Sequence, residues 1–228
     1  MGGELHYHSD MAQVIESGSR RCQFADCAQE LALWRAGYTR VAGVDEVGRG
    51  PLAGPVVAAA VVLPPFFEAE WLARVRDSKA LTVRQRELLS EAIRRDALAY
   101  GVGLRPARVI DEIGLAGAQR EAVGDALALL CVPPEFLLLD AFVHRPAALD
   151  QIALIGGDAL CASIACASIV AKVARDRMLC GLDRRFPGYG LAEHKGYGTS
   201  AHRAALARLG PSPIHRRSFA PVRELLSA

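Results

Sequence analysis

Acidic residues beside apolar runs are the clearest chemical feature of this sequence. Four of them stand out: Asp45, Glu46, Asp140 and Asp158. The first two are adjacent and interrupt an apolar run, the third ends a run of three leucines, and the fourth follows two glycines after another apolar run. Ligands of open α/β sheets commonly bind just outside strand ends, so acids at such positions can converge although they are far apart in the chain.

A bound divalent cation would offset the cost of such convergence, because like charges held close together raise one another's pKa. Oxygen ligands suit hard ions such as Mg²⁺ or Mn²⁺, and Mg²⁺ usually keeps several waters and takes oxygens from a substrate phosphate. In two-metal sites the ions are about 3.5 to 4 Å apart, one activating the attacking water and the other stabilising the leaving oxygen. The four carboxylates together predict metal-assisted phosphate chemistry, although any one alone would more simply be a turn former or a helix cap.

A glycine-rich turn directly follows the acidic pair. Gly48 and Gly50 let the backbone come close to a ligand, and Arg49 between them offers a fork of donors for a phosphate. A Gly-Arg-Gly run is weak evidence by itself, and its position beside two candidate metal ligands gives it weight.

The elements that must position these residues alternate between strands and helices. Strands are predicted over residues 40–47, 55–63, 98–104, 136–140 and 151–155, and helices over residues 30–36, 82–94, 117–130, 161–180 and from 199 onward. The first three strands form an antiparallel meander, with the glycine-rich turn between the first two. Continuous apolar runs place the last two strands in the sheet's centre, covered by helices on both faces. The predicted fold class is α/β, with a mixed central sheet flanked by helices.

Composition excludes several classes of protein. The 228 residues are 51% hydrophobic and 23% charged, which is typical of a globular domain. The longest apolar stretch contains three prolines and falls short of the roughly 20 residues needed to span a membrane. No secretory signal is visible and the six cysteines are scattered, so reduced thiols and a cytoplasmic location are expected. Five arginines and one acid in the last thirty residues predict a basic surface suited to a polyanionic partner.

Residues 1–28 show no periodicity and predict a flexible leader, followed by one domain over residues 29–228. His6, His8, Cys22 and Cys27 lie in this leader, but their spacing matches no standard zinc finger. Little function is assigned to it.

Several motifs occur in the order in which ribonuclease HII carries them. AGVDEVGRGPLAGPV at residues 42–56 resembles the strand-turn-strand signature of that family. Further matches are DSK at 77–79, Asp140, Gly157-Asp158, ASIVAK at 167–172, Arg175-Asp176, HKGYGT at 194–199 and HRRSFAPV at 215–222. The resemblance covers nearly all of the chain after the leader.

The resemblance implies a ribonuclease H-like fold with a small C-terminal helical part over about residues 182–228. It implies a monomeric endonuclease that uses Mg²⁺ or Mn²⁺ and has no membrane partner. The implied reaction is hydrolysis 5′ to a ribonucleotide, in RNA–DNA hybrids or in duplex DNA with embedded ribonucleotides, leaving 3′-hydroxyl and 5′-phosphate ends. Ribonucleotide excision repair is the implied process.

The resemblance also implies roles for individual residues. The metal-binding catalytic carboxylates are matched by Asp45, Glu46, Asp140 and Asp158. The turn that senses the 2′-hydroxyl, largely through backbone groups, is matched by Gly48, Arg49 and Gly50. That hydroxyl is what distinguishes RNA from DNA at a site. Tyr197, which lies between two glycines, matches the tyrosine that packs on the sugar at the RNA–DNA junction.

Other motif residues have simpler explanations. Lys172 either contacts phosphate or simply belongs to a helix whose small residues allow close packing against the sheet. Arg175 and Asp176 are predicted to form a structural salt bridge or cap. His194 and Lys195 either contact the duplex backbone or belong to a solvated loop.

Two residues depart from the family pattern. Ala141 stands where the family often has glycine, which predicts a slightly crowded turn. Gly156 stands where the family often has lysine, which removes a positive charge near the site.

Three other functions fit parts of the pattern. A resolvase or transposase would share the carboxylates but not the turn beside them. A non-catalytic nucleic-acid-binding module would be expected to have lost at least one acid. A phosphate-binding metabolic enzyme would need the Lys-Ser/Thr ending and the strand-to-helix context that the turn lacks.

Overall fold

The computed structural model describes residues 13–15, 25–75, 78–144 and 149–227. Four residues named above, His6, His8, Cys22 and Asp77, lie outside these ranges.

One mixed sheet contains the strands of the described residues. They are β1 (Gln13–Ile15), β2 (Val41–Val47), β3 (Val56–Val62), β4 (Ala99–Arg105), β5 (Phe136–Asp140) and β6 (Asp150–Leu154), in the spatial order β1-β6-β5-β2-β3-β4. β2, β3 and β4 pair antiparallel, which confirms the predicted meander. β5 pairs parallel with both β2 and β6, so the leucine-rich strand is central as predicted. The short edge strand β1 was not predicted, because three residues are too few to show a period.

Eight α-helices occur in the described part of the chain. They are α1 (Ala28–Arg35), α2 (Val83–Asp96), α3 (Ala107–Ala128), α4 (Gly157–Leu160), α5 (Ala162–Arg185), α6 (Leu191–His194), α7 (Ser200–Leu209) and α8 (Ala220–Ser227). Thr82 caps α2 as predicted, and its hydroxyl accepts a hydrogen bond from the Gln85 backbone N–H. α3 is two helices joined at a kink, because Gly114 has a non-helical φ of 76°. The part after Gly114 agrees with the helix predicted over residues 117–130, and the part before it was not predicted. None of the helices described is long and apolar enough to cross a membrane.

The sheet is buried on both faces. α5 covers one face, where β2 and β5 contribute Val41 and Leu138 to the core. α3 covers the opposite face, where the alternate residues Val44 and Leu139 lie. Because side chains alternate along a strand, each strand supplies both cores.

Glycines set how closely the two main helices approach the sheet. A Cβ built on Gly43 in β2 would lie 2.1 Å from the Ser163 carbonyl carbon of α5. On β4, Cβ atoms at Gly101 and Gly103 would each lie 2.0 Å from a backbone oxygen of α3. Only glycine allows these backbone contacts.

The helices after α5 form a third cluster with the loop between β2 and β3. Leu52 and Ala53 of that loop pack with Leu179, Leu191 and Leu206. The C-terminal helical part therefore packs against the segment that follows the candidate metal ligands.

We expect Gly43→Ala to destabilise the protein by about 3 kcal/mol or more, because the added methyl group meets helix backbone that cannot move aside easily. In a chain of this size that corresponds to a loss of about 10 °C in Tm. Gly124→Ala in α3 is the matched control, since a Cβ there meets nothing within 4 Å. It should raise stability by about 0.5 to 1 kcal/mol. Equal melting temperatures for the two variants would contradict the close approach of α5.

Candidate active site

Asp45 is the buried centre of the acidic group. It lies in β2 on the face covered by α5 and is only 6% exposed. Its Oδ1 accepts a hydrogen bond of 2.7 Å from the Glu46 backbone N–H. Ser168 of α5 also hydrogen bonds to this carboxylate, and its hydroxyl lies 2.9 Å from that of Ser78. Two serines from separate elements thus help to solvate a buried acid.

Glu46 points toward the opposite face of β2, because consecutive strand residues alternate. Its side chain is 8% exposed, and Oε1 lies 3.3 Å from Nη1 of Arg49. Burial raises the pKa of Glu46 to about 7, against the opposing effect of the Arg49 cation. Among the described residues, the second oxygen, Oε2, is buried and accepts no hydrogen bond.

Asp140 and Asp158 come to the same end of the sheet from neighbouring elements. β5 runs parallel to β2 with Leu139 opposite Val44, so Asp140 is one step further on, beside Asp45. The Asp140 Oδ1 accepts a hydrogen bond of 2.8 Å from the Gly157 backbone N–H. Asp158 lies in the first turn of α4, just after β6, rather than on a strand end.

The four acids interact electrostatically. Burial raises the pKa of Asp45 well above its usual value, and Glu46, Asp140 and Asp158 raise it further. Within the described ranges, no three acidic, histidine or cysteine side chains already surround one point as metal ligands. Even so, an all-oxygen donor set with mutual repulsion and an unpartnered buried oxygen on Glu46 fits a hard divalent cation. The structure thus brings the predicted carboxylates together without preassembling their coordination.

Two buried arginines hold the loop that follows the acids. Arg216 is fully buried, and its guanidinium donates hydrogen bonds to the carbonyls of Gly48, Arg49 and Gly54. Arg175 is equally buried and donates to Pro55, Ala53 and Lys195 carbonyls. Among the described residues neither guanidinium forms an ion pair with a carboxylate.

Arg175 and Asp176, predicted to form a structural salt bridge or cap, are not paired with each other in the described part of the chain. Asp176 instead accepts a hydrogen bond of 2.7 Å from Lys172, one turn earlier in α5. Adjacent helix residues point about 100° apart, so Arg175 and Asp176 face different neighbours.

Tyr197 lies beside the glycine-rich turn. Its side chain is 44% exposed, and a Cβ on Gly50 would be 3.8 Å from its Cε1 atom. The Tyr197 carbonyl accepts a hydrogen bond of 2.9 Å from Nδ1 of His202. Two segments far apart in sequence thus form one surface of glycine backbone and an aromatic ring.

Three histidines contact one another beneath Tyr197, by ring stacking and by one hydrogen bond. His202 stacks on His194 with ring centroids 4.3 Å apart, and its Nε2 lies 3.1 Å from Nε2 of His215. His215 accepts hydrogen bonds at Nδ1 from Ser212, so its proton is on Nε2 and is donated to His202. Burial lowers the pKa of His215 to about 4 and also lowers that of His202, which keeps both neutral near pH 7.

These contacts correct the prediction for the loop before Tyr197. The ring nitrogens of His194 contact the Tyr189 carbonyl and the Gly196 N–H, and Lys195 Nζ donates to the Ala192 carbonyl. Neither residue belongs to a freely solvated loop.

Both departures from the family pattern occur where the backbone has a positive φ. Ala141 has a φ of 58°, a left-handed conformation that costs an alanine about 1 kcal/mol. Gly156 has a φ of 71°, which glycine adopts without this cost.

Sequence reasoning missed Ser168 as a partner of Asp45 and Arg216 as a support of the turn. Both lie in motifs noted above, ASIVAK and HRRSFAPV. The motifs marked the segments, but nothing in them distinguished these residues from their neighbours.

A mixed sheet flanked by helices, with acids converging from adjacent strands, defines a ribonuclease H-like α/β protein. A model of the ribonuclease HII family matches residues 42–222. The chain belongs to the ribonuclease HII family, and it is an endonuclease that hydrolyses RNA in RNA–DNA hybrids.

Individual relatives agree with this assignment. Ribonuclease HII of Dehalococcoides mccartyi is 50% identical over 198 residues, covering 87% of this chain and 94% of that protein. Ribonuclease HII of Syntrophotalea carbinolica is 52% identical over 197 residues, covering 86% and 93%. The crystal structure of ribonuclease H2 from Pyrococcus horikoshii OT3 matches with a TM-score of 0.71 at 31% identity, covering 82% of this chain and 97% of that one.

We expect Asp45→Asn to raise the Tm of the metal-free protein at pH 8 by several degrees, because it removes a buried charge repelled by three acids. Asparagine keeps the acceptor for the Glu46 N–H. The pKa of Asp45 is higher in the folded protein than its unfolded value of 3.8, so the wild-type protein loses stability as the pH rises above 3.8. The increase in Tm caused by Asp45→Asn should therefore become smaller toward pH 4. Thermal melts of both proteins in EDTA, at pH 8 and at pH 4, measure this difference in Tm. A lower Tm for the variant at pH 8 would contradict this electrostatic account.

Proposed function

We propose that this protein cuts the phosphodiester bond 5′ to a ribonucleotide, in RNA–DNA hybrids and in duplex DNA containing single ribonucleotides. The products carry 3′-hydroxyl and 5′-phosphate ends. The observation that supports this choice is that the turn at Gly50 and the exposed ring of Tyr197 are neighbours on one surface, just after the acids of β2.

The carboxylates are the proposed metal ligands. Asp45, Glu46, Asp140 and Asp158 would hold two divalent cations, Mg²⁺ or Mn²⁺. Such ions supply an activated water and stabilise the leaving oxygen when bound. The protein's own part is to hold the acids close together and to offset part of the cost of their charges, through the hydroxyl of Ser168 on Asp45 and the backbone N–H of Gly157 on Asp140.

Substrate selection is assigned to the neighbouring surface. Gly48, Arg49 and Gly50 recognise the 2′-hydroxyl through backbone groups, and the exposed Arg49 side chain lies within reach of an adjacent phosphate. Tyr197 packs on the sugar of the ribonucleotide. Lys172, partly buried in its pair with Asp176, contributes a positive charge along the path of the backbone.

The protein acts as a monomer on nucleic acid in the cytoplasm, in ribonucleotide excision repair. The concentration of arginine in the C-terminal part supports binding to a polyanion.

We expect the wild-type protein to nick a DNA duplex at a single ribonucleotide with Mg²⁺ or Mn²⁺ and to be inactive in EDTA. Asp45→Asn and Asp140→Asn should each lower kcat by a hundredfold or more, because loss of even a supporting group at a metal site costs about 10- to 100-fold. Asp150→Asn is the matched control, since this exposed acid begins β6 at the opposite end of the sheet. Sequencing gels map the nick and identify the ends.

Activity that survives EDTA or the substitutions would refute the metal mechanism. Equal cleavage of an all-DNA duplex would refute the proposed specificity, and a cut on the 3′ side of the ribonucleotide would refute the proposed products.

Tyr197→Ala should lower kcat/KM on the single-ribonucleotide duplex by about 10- to 100-fold, because stacking on an aromatic ring contributes roughly 1 to 3 kcal/mol. Tyr197→Phe keeps the ring and should retain most activity. The two variants are compared in steady-state assays on one substrate. A loss as large in the phenylalanine variant would show that the hydroxyl, rather than the ring face, is required.

A further inference from the structure

Two adjacent arginines in the C-terminal part have opposite environments. Arg217 is exposed, and its backbone N–H donates a hydrogen bond to Asp111. Arg216 is fully buried beneath the glycine-rich turn, with its guanidinium 5.0 Å from the ring centroid of Phe219. Burying a cation without a carboxylate partner is costly, so the carbonyls that it binds must compensate.

The hydrogen bonds of Arg216 fix the orientation of two successive peptide units. Nη2 donates to the Gly48 carbonyl, and Nη1 donates to the Arg49 carbonyl at 2.8 Å. The described peptide bonds are all trans, and in a trans peptide the C=O and the following N–H point in opposite directions. With both carbonyls directed inward at Arg216, the N–H groups of Arg49 and Gly50 are directed outward.

Those two N–H groups have no partner within the described part of the chain. Arg49 and Gly50 are both exposed, whereas Gly48 is buried. The ring of Tyr197 borders the same surface. Successive outward N–H groups of this kind form a concave binding site for an oxygen atom of a ligand.

We propose that Arg216 is a positioning residue for specificity: its fork holds the Gly48 and Arg49 carbonyls inward, which aims the Arg49 and Gly50 N–H groups at the 2′-hydroxyl of the substrate. The inference rests on the proposed function of this surface. It assigns the selectivity of the turn to a side chain 166 residues later in sequence than Gly50.

The chemistry requires arginine at this position. A guanidinium carries five donors in a rigid plane, and Arg216 uses its Nε, Nη1 and Nη2 atoms on carbonyls of one loop. A lysine ammonium keeps the positive charge but not the planar fork, so it cannot orient both peptide units at once.

The test measures discrimination in a variant that binds but does not cut. In an Asp45→Asn background, fluorescence anisotropy gives Kd for a duplex with one ribonucleotide and for the same duplex without it. The preference for the ribonucleotide is the Kd of the all-deoxy duplex divided by the Kd of the ribonucleotide duplex. We expect Arg216→Lys to reduce this ratio by about tenfold, since each lost hydrogen bond weakens binding several-fold. If the ratio starts below ten, we expect it to fall to one. A purely structural defect would weaken both affinities and leave the ratio unchanged.

Two controls accompany this variant. Arg175→Lys removes an equally buried guanidinium that binds the carbonyls of Ala53, Pro55 and Lys195 rather than those of Gly48 and Arg49, so it should lose comparable thermal stability and keep the ratio. Arg217→Lys alters the exposed neighbour and should change neither quantity. An unchanged ratio in a folded Arg216→Lys protein, or an equal loss in Arg175→Lys, would overturn the inference.

A second measurement does not depend on whether the Arg216→Lys variant folds. In the Asp45→Asn protein, NMR amide exchange at Arg49 and Gly50 should be fast in the free state and slowed by the ribonucleotide duplex, but not by the all-deoxy duplex. Equal protection by both duplexes would overturn the inference. Wild-type protein is assayed for nicking in parallel, and failure to nick would reject the proposed function itself.

Discussion

Burial of the Asp45 carboxylate is the constraint around which the rest of the structure is arranged. The carboxylate lies in one of the two central strands of a sheet covered on both faces, where little water reaches it. Gly43, two residues earlier, lets α5 approach β2 closely enough for Ser168 to reach the carboxylate. Parallel pairing of β5 then places Asp140 beside it. The elements that bury the charge are thus the ones that supply its partners.

The loop beyond β2 depends on a different kind of interaction. Its carbonyls are turned inward to two buried guanidinium groups, and its apolar residues pack under the C-terminal helices. Burial and the nearby Arg175 cation lower the pKa of Arg216 to about 9, which still leaves it charged at neutral pH. The C-terminal helices therefore shape the candidate substrate surface, and the neutral histidines beneath Tyr197 extend the same support.

Much of this arrangement was predictable from local patterns. The meander, the central leucine-rich strand and the Thr82 cap were correct, because strand alternation, apolar runs and capping chemistry act over a few residues. The acids stood out because charge inside an apolar strand has no local explanation. The elements that were missed are short ones, such as the part of α3 before Gly114 and the three-residue strand β1.

The sequence by itself indicated the family, the longer helices and strands and the four candidate acids, since local patterns and short motifs carry this information. Only the tertiary structure decided which members of those motifs face one another. Arg175 and Asp176 are adjacent yet have different partners, because neighbouring helix residues point in different directions. Arg216 and Arg217 are chemically identical, yet one orients the turn and the other is exposed. Their difference comes from packing between segments far apart in the chain, which no pattern of neighbouring residues encodes.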